Sequence, residues 1–97
     1  MARDTADPAF TALPAGDLIE AGLDDLARGV ESVAALLVSI GAPRLRRLGY
    51  DVPHPLERPE HRLYERLHAS DPAAAHSRYN ALVRRLVSFE RAAECVS

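Results

Sequence analysis

Apolar side chains recur at helical spacing along most of this chain. The first apolar stripe consists of Ile19, Leu23, Leu26 and Val30, with acidic side chains on the other faces. Asp17 is a candidate N-cap for this segment, and Gly29 is typical of the position just past a helix end. The pattern therefore predicts a first helix over residues 17–28.

The next apolar run is short and follows the candidate N-cap Ser32. It matches the helical i, i+3, i+4, i+7 template at Val33, Leu36, Leu37 and Ile40. A buried strand is the competing interpretation, because periodicity alone does not separate the two in so short a run. The other positions are apolar or small, so a helix here lies centrally or is covered by another chain. The candidate interface residues are Val33, Ala34, Leu37 and Val38.

Glycine and proline divide the middle of the chain. Gly41 ends the apolar segment, and a short basic turn of helix is predicted between Pro43 and Gly49. The stretch Tyr50–Pro59 contains three prolines, which disfavour helix in the residues before them. We therefore expect an extended connector between the first helices and the last ones.

Two start signals precede the last helices. Pro59 suits the first position of a third helix that extends to about Ala69. Asp71 followed by Pro72 is typical of an N-cap and the first helical position. The sequence thus predicts that Asp71 caps a long helix that ends near Cys95.

One carboxylate interrupts the apolar face of that long helix. The face consists of Ala75, Tyr79, Leu82, Val83, Leu86, Val87, Phe89 and Ala93. Glu90 falls near its middle, where a buried carboxylate needs a cationic partner or becomes protonated. Either the helix turns toward solvent there and Glu90 pairs with an arginine, or a polar pocket forms. The pocket candidates are His76, Glu90 and Glu94.

Composition agrees with an all-α fold. The 97-residue chain is 47% hydrophobic and 27% charged, which is typical of globular domains. Its 13 Leu and 17 Ala are strong helix formers. We predict a flexible N-terminal arm over residues 1–15 and one helical domain over residues 16–97. That domain would be a small bundle of three to four helices with a proline-rich connector and a long C-terminal helix.

Charge and the length of the apolar runs indicate the kind of cell and the cellular location in which we expect this protein. All twelve basic side chains are Arg, which suggests a GC-rich genome of bacterial type. The net charge of −2 divides into −5 over residues 1–31 and +3 over residues 32–97, so the two parts could pair within the fold or between copies. Neither a signal peptide nor a run near the ~20 apolar residues of a membrane span is present. We expect a cytoplasmic protein with no membrane partner.

The third helix carries a candidate metal-binding flank. His61, Glu65 and His68 are spaced i, i+4, i+7 and would share one side of the helix. Two imidazoles and a carboxylate suit zinc or iron, and Glu-x-x-His is half of the motif set in di-iron helical bundles. A solvated helix face is the simpler interpretation. We expect no metal or other cofactor.

Two residues of the same helix have a spacing known from an RNA-cleaving family. Arg62 and His68 form an Arg-x5-His pair, which is similar to the motif of the HEPN ribonucleases, small helical proteins that cut RNA as dimers. Leu63 follows the arginine here, where that family usually has Asn, Asp or His. The resemblance implies Arg62 and His68 as catalytic candidates, the histidine acting as an acid or base near neutral pH.

Arginine clusters offer a third kind of chemistry. The candidate phosphate contacts are Arg44, Arg46, Arg47, Arg84 and Arg85. No recognition-helix pattern and no run of stacking aromatics lies beside them, which argues against a dedicated nucleic-acid binder. Glycine-rich phosphate loops and the HExxH motif are absent as well.

The leading hypothesis is an interaction or assembly module that binds a protein partner or a second copy of itself. The thin core expected of so short a chain and the apolar second helix favour it. The alternatives are a HEPN-like ribonuclease or metal-binding protein that uses the His61, Glu65 and His68 flank, and a nucleic-acid accessory protein.

Overall fold

Five α-helices account for most of residues 12–96, the part of the chain that the computed structural model describes. They are α1 (Gly16–Ala27), α2 (Val33–Ile40), α3 (Ala42–Arg47), α4 (Pro59–Ser70) and α5 (Ala75–Val96). The described part contains no strand, so the prediction of an all-α fold with a long C-terminal helix is confirmed. Most of the predicted arm, residues 1–11, lies outside the described residues, as does residue 97.

Helix α2 lies at the centre of the fold and contacts all four other helices. Leu37 and Val38 are completely buried within this chain, and Val33 and Ala34 are partly buried. A helix that is apolar on every side can satisfy all its faces only in the interior. The strand alternative is therefore wrong. Of the residues predicted as an interface, Leu37 and Val38 belong to the core, and Val33 packs against it.

Helix α1 packs very closely on α2 because it presents Gly22 at the crossing. A Cβ atom at this position would overlap the carbonyl oxygen of Ala34 and lie 2.8 Å from Val38 Cγ1. Backbone atoms of α2 thus occupy the space that a side chain would need. The opposite side of α1 is polar, and three members of the predicted stripe, Ile19, Leu23 and Leu26, are buried. The fourth, Val30, lies beyond the end of the helix and is 43% exposed.

The helix starts follow the sequence signals in part. Ser32 Oγ accepts a hydrogen bond of 3.0 Å from the backbone N–H of Ala35, so its predicted N-cap role is confirmed. Asp17 is not an N-cap, because α1 already begins at Gly16. Asp17 lies in the first turn, where the positive end of the helix dipole stabilises a carboxylate. The predicted cap at Asp71 is also wrong. It ends α4, and a turn over residues 72–74 separates it from α5.

The connector between α3 and α4 contains no helix or strand and is tied to the core by polar contacts. Ser39 Oγ donates to the carbonyl of Ala35 at 2.8 Å and accepts from the backbone N–H of Leu56 at 3.0 Å. Arg46 donates to the carbonyl of Val52 at 2.7 Å, and the Val52 side chain is buried. These bonds position α4 against α2.

Helix α5 covers the core along its length. Its buried side chains include Leu86, Phe89 and Ala93, and the Phe89 ring lies 5.5 Å from that of Tyr50 in the connector. The face of α5 that carries these side chains therefore packs against the core, and the opposite face is exposed to solvent. None of the helices in residues 12–96 combines the length and apolar character that a bilayer crossing requires.

Candidate functional site

Glu90 is buried, as its position on the apolar face of α5 indicates. The residue is 4% exposed and its carboxylate packs over Gly41 at the junction of α2 and α3. Arg44 Nη1 lies 3.8 Å from Glu90 Oε1, while Arg44 Nη2 donates to Glu94 Oε1 at 2.8 Å. Burial raises the pKa of Glu90, and the positive charges of Arg44 and Arg47 oppose that rise. Glu90 thus belongs to a structural joint between α3 and α5.

The structure brings together only part of the predicted polar pocket. Arg44 connects Glu90 and Glu94, but His76 lies fourteen residues before Glu90, or about 21 Å along the helix axis. His76 is exposed, and its ring nitrogen is 3.2 Å from the side-chain amide of Asn80. His76 and Glu90 therefore do not line a common site.

The predicted metal-binding flank lies on the solvent side of α4. His61 Nε2 is 3.1 Å from Glu65 Oε2, and the ring of His68 contacts Tyr64 instead, with centroids 6.1 Å apart. Within residues 12–96, no three His, Cys, Asp or Glu side chains converge as a metal ion would require. The flank supplies a contact between His61 and Glu65 and an aromatic contact between Tyr64 and His68.

An open cleft of about 440 Å³ occupies the same side of α4, and we call it the tyrosine cleft. Its lining residues are His61, Tyr64, Glu65, His68 and Ala69. Tyr79 of α5 stands at its edge, with its ring centroid 6.1 Å from that of Tyr64. Burial and the nearby Glu60 carboxylate raise the pKa of Tyr79. Aromatic faces next to carboxylates form a surface that attracts cations.

The pair with HEPN-like spacing is not brought together. Arg62 forms an ion pair with Glu31 and donates to the carbonyl of Glu57 at 3.1 Å. It therefore joins α4 to the turn before α2. His68 is six residues further on, about 120° away around the helix, and is exposed on another side. Within one chain, Arg62 serves the fold and does not face His68.

The outer side of α5 forms a continuous basic surface, which we call the arginine face. It consists of Arg78, Ala81, Arg84, Arg85, Ser88 and Arg91. Its four arginines are exposed, and the first and last of them lie thirteen positions apart, or about 20 Å along the helix. No carboxylate lies on this arc, and within residues 12–96 none of the four forms an ion pair.

A groove of about 420 Å³ lies along the middle of the arginine face. Pro14 and Ala15, just before α1, form one wall, and α5 contributes Ala81, Arg84, Arg85 and Ser88. The groove therefore has an apolar floor and two guanidinium groups at its border. Such a surface can accept apolar side chains and carboxylates together.

The structure separates the arginines that the sequence grouped as phosphate contacts. Arg44 and Arg46 hold α3 through Glu90, Glu94 and the Val52 carbonyl. Arg84 and Arg85 are exposed and form no ion pair within residues 12–96. Arg78 and Arg91, which sequence reasoning missed, lie on the same face. The signal that could have found them is the recurrence of arginine at positions 78, 84, 85 and 91, which share one side of the predicted helix with no Asp or Glu among them.

Comparison of this chain with protein-family models, with curated proteins and with solved structures finds no match. Its function must therefore be inferred from the surfaces described above.

Proposed function

We propose that this protein is a small helical interaction module that binds a protein partner through the arginine face. One observation carries the proposal: four exposed arginines extend along one side of α5 with no carboxylate among them. Four arginines outside this face, Arg28, Arg44, Arg62 and Arg66, form ion pairs with carboxylates instead. A uniformly charged face attracts a partner of opposite charge and repels its own kind.

The groove indicates what the partner must present. Its apolar lining at Pro14, Ala15 and Ala81 accepts aliphatic side chains, and Arg84 and Arg85 beside it can bind carboxylates in bidentate geometry. Arginine is also enriched in protein interfaces relative to the rest of the surface. The chemistry therefore favours an acidic partner surface that carries a few apolar side chains.

A polyanionic partner such as RNA is the main competitor, and two features disfavour it. The whole chain has a net charge of −2 and a pI near 6.0, whereas nucleic-acid-binding domains are usually strongly basic. Among residues 12–96, no exposed aromatic ring stands on the arginine face to stack with bases, because Tyr79 lies on the α4 side of α5.

The proposal is tested with a synthetic helical peptide of alternating Glu and Leu positions, labelled for fluorescence anisotropy. A peptide of equal charge with Ser in place of Leu measures the contribution of the groove, and a single-stranded RNA oligonucleotide measures affinity for phosphate. The protein variant is Arg84→Gln/Arg85→Gln. Its matched control is Arg47→Gln/Arg58→Gln, which removes the same charge from other exposed positions.

We expect the Glu/Leu peptide to bind the wild-type chain, and affinity to fall about tenfold in the Arg84/Arg85 variant, since charged interface contacts are worth one or more kcal/mol. The control should lose less than about threefold. Equal losses in both variants would mean that only net charge matters and would refute a defined site. If the RNA binds more tightly than the peptide, the arginine face is a nucleic-acid-binding surface and the proposed protein partner is refuted.

A further inference from the structure

We infer that the partner of the arginine face is a second copy of this chain, which binds it with its tyrosine cleft. This inference rests on the proposed function and adds the identity of the partner. The chain carries both halves of a complementary pair. One is a row of guanidinium groups on α5 that form no ion pair within residues 12–96, and the other is an aromatic, carboxylate-bearing cleft on α4.

The chemistry of the cleft suits an arginine side chain. Tyr64 is 37% exposed, and its ring is held by contacts with Tyr79 and His68. A guanidinium group is planar and stacks on such a ring while it donates to a carboxylate. Glu65 lies in the cleft itself, and Glu60 is close enough to Tyr79 to affect its hydroxyl. His61 already contacts Glu65, but that carboxylate remains exposed at the surface.

The positions of the two surfaces determine the kind of assembly. Tyr79, at the edge of the cleft, and Arg84, on the arginine face, are five residues apart, or about 140° around α5. The two surfaces therefore point to different sides of the molecule, and one neighbour cannot occupy both. Contacts between unlike surfaces are head-to-tail, so each added copy leaves one surface of each kind open.

Head-to-tail contact permits a test with two complementary variants. The first, Arg84→Gln/Arg85→Gln, loses the two central arginines of the arginine face and keeps the cleft. The second, Tyr64→Ala/Glu65→Gln, lacks the cleft and keeps the arginine face. If loss of the Tyr64 ring unfolds the chain, Glu60→Gln/Glu65→Gln removes the carboxylates without touching the ring. Sedimentation velocity of the full chain is measured from 10 to 500 µM, a range of about fiftyfold, at low and high salt.

The wild-type mass should rise with concentration above the 10.6 kDa of one chain and fall again in high salt. Each variant alone should remain a single chain. An equimolar mixture should give a complex of two chains and nothing larger, because only one matching pair of surfaces is present. The control Arg47→Gln/Arg58→Gln should associate like the wild type.

Other outcomes overturn the inference. A wild-type chain that stays at one copy throughout would refute self-association, while binding of the Glu/Leu peptide would still support the proposed function. Association that survives in the cleft variant, or a mixture that fails to form the two-chain complex, would show that copies meet through another surface. Loss of both peptide binding and self-association would refute the two proposals together.

Discussion

Two helix contacts in this protein each combine a glycine with a nearby carboxylate, and they are built in opposite ways. At the crossing of α1 and α2, Gly22 faces backbone atoms of Ala34. At the junction with α5, Gly41 faces side-chain atoms of Glu90 and Leu86. Backbone atoms within a packed helix cannot move alone, whereas side chains can change rotamer. The first contact is therefore rigid and the second adaptable.

The carboxylates near the two contacts, Asp25 and Glu90, have pKa values shifted in opposite directions. Asp25 Oδ2 accepts a hydrogen bond of 2.6 Å from Ser32 Oγ, which lowers the pKa of Asp25, and the neighbouring Arg28 lowers it further. Glu90 has its nearest cation at 3.8 Å, and burial raises its pKa. A carboxylate that receives short hydrogen bonds stabilises the fold in its charged form, while one that is only buried is favoured in its neutral form.

The largest effect is expected at Gly22. Gly22→Ala should destabilise the protein by about 3 kcal/mol or more, because α1 must move away from α2 to relieve an overlap with the Ala34 carbonyl. Urea unfolding monitored by circular dichroism measures this. Ala21→Gly at the exposed neighbouring position is the control for helix propensity and should cost about 1 kcal/mol. A stable Gly22→Ala variant would show that the crossing is as adaptable as the Gly41 contact.

Local patterns predicted the secondary structure well, because the interactions that set it are local. The apolar spacing of α2, the Ser32 cap and the proline at the start of α4 each act within a few residues. The exceptions are also local: Asp71 ends α4 because Pro72–Ala74 form a separate turn before α5. A residue type that is common at helix caps does not show whether it stands at the start of the next helix or at the end of the preceding one.

Relations between distant segments could not be predicted in this way. The sequence indicated that Glu90 needed a cation, but not that Arg44, 46 residues earlier, would supply it. It allowed α2 to be central or covered by another chain, and only packing against all four other helices decided this. The sequence predicted only part of the arginine face, because the side of α5 that faces solvent depends on which of its residues contact the core.

A smaller effect is expected at the adaptable contact. Gly41→Ala should destabilise the protein by about 1 kcal/mol, since the Glu90 carboxylate and the end of Leu86 can shift to admit a methyl group. The backbone at Gly41 has φ −86°, which alanine adopts without strain. The melting temperature should fall by roughly 4–8 °C. A loss as large as that of Gly22→Ala would place both contacts in the rigid class.

The hydrogen-bonded carboxylate gives a prediction with a defined pH dependence. Asp25→Asn should destabilise the protein by about 1 kcal/mol at neutral pH, because Ser32 and Arg28 lose a charged acceptor. The pKa of Asp25 is lowered in the folded state, so its contribution is present above the ordinary value of 3.8 and is lost as pH falls through the folded value. Wild type and variant should therefore converge in acid. A constant difference down to pH 2, far below that value, would exclude this titration.

The smallest change, and the only stabilising one, is expected at the buried carboxylate. Glu90→Gln removes a charge whose burial raises the pKa of the residue above its ordinary value of 4.5. The folded state then binds the proton more tightly than the unfolded state, so the wild type loses stability as pH rises through this range. Glu90→Gln should equal the wild type in acid and be more stable at neutral pH, by less than about 1 kcal/mol.

Melting temperatures of both chains between pH 3 and 8 measure this difference, and the range covers the ordinary titration of carboxylates. Arg44 is not left without a partner in Glu90→Gln, because it also donates to Glu94 at 2.8 Å. The double variant Glu90→Gln/Glu94→Gln removes that second partner and separates the burial of Glu90 from the loss of an Arg44 contact. If Glu90→Gln alone is less stable than the wild type at neutral pH, attraction to Arg44 outweighs burial. The contrast with Asp25 would then disappear, since both carboxylates would stabilise the fold in their charged forms.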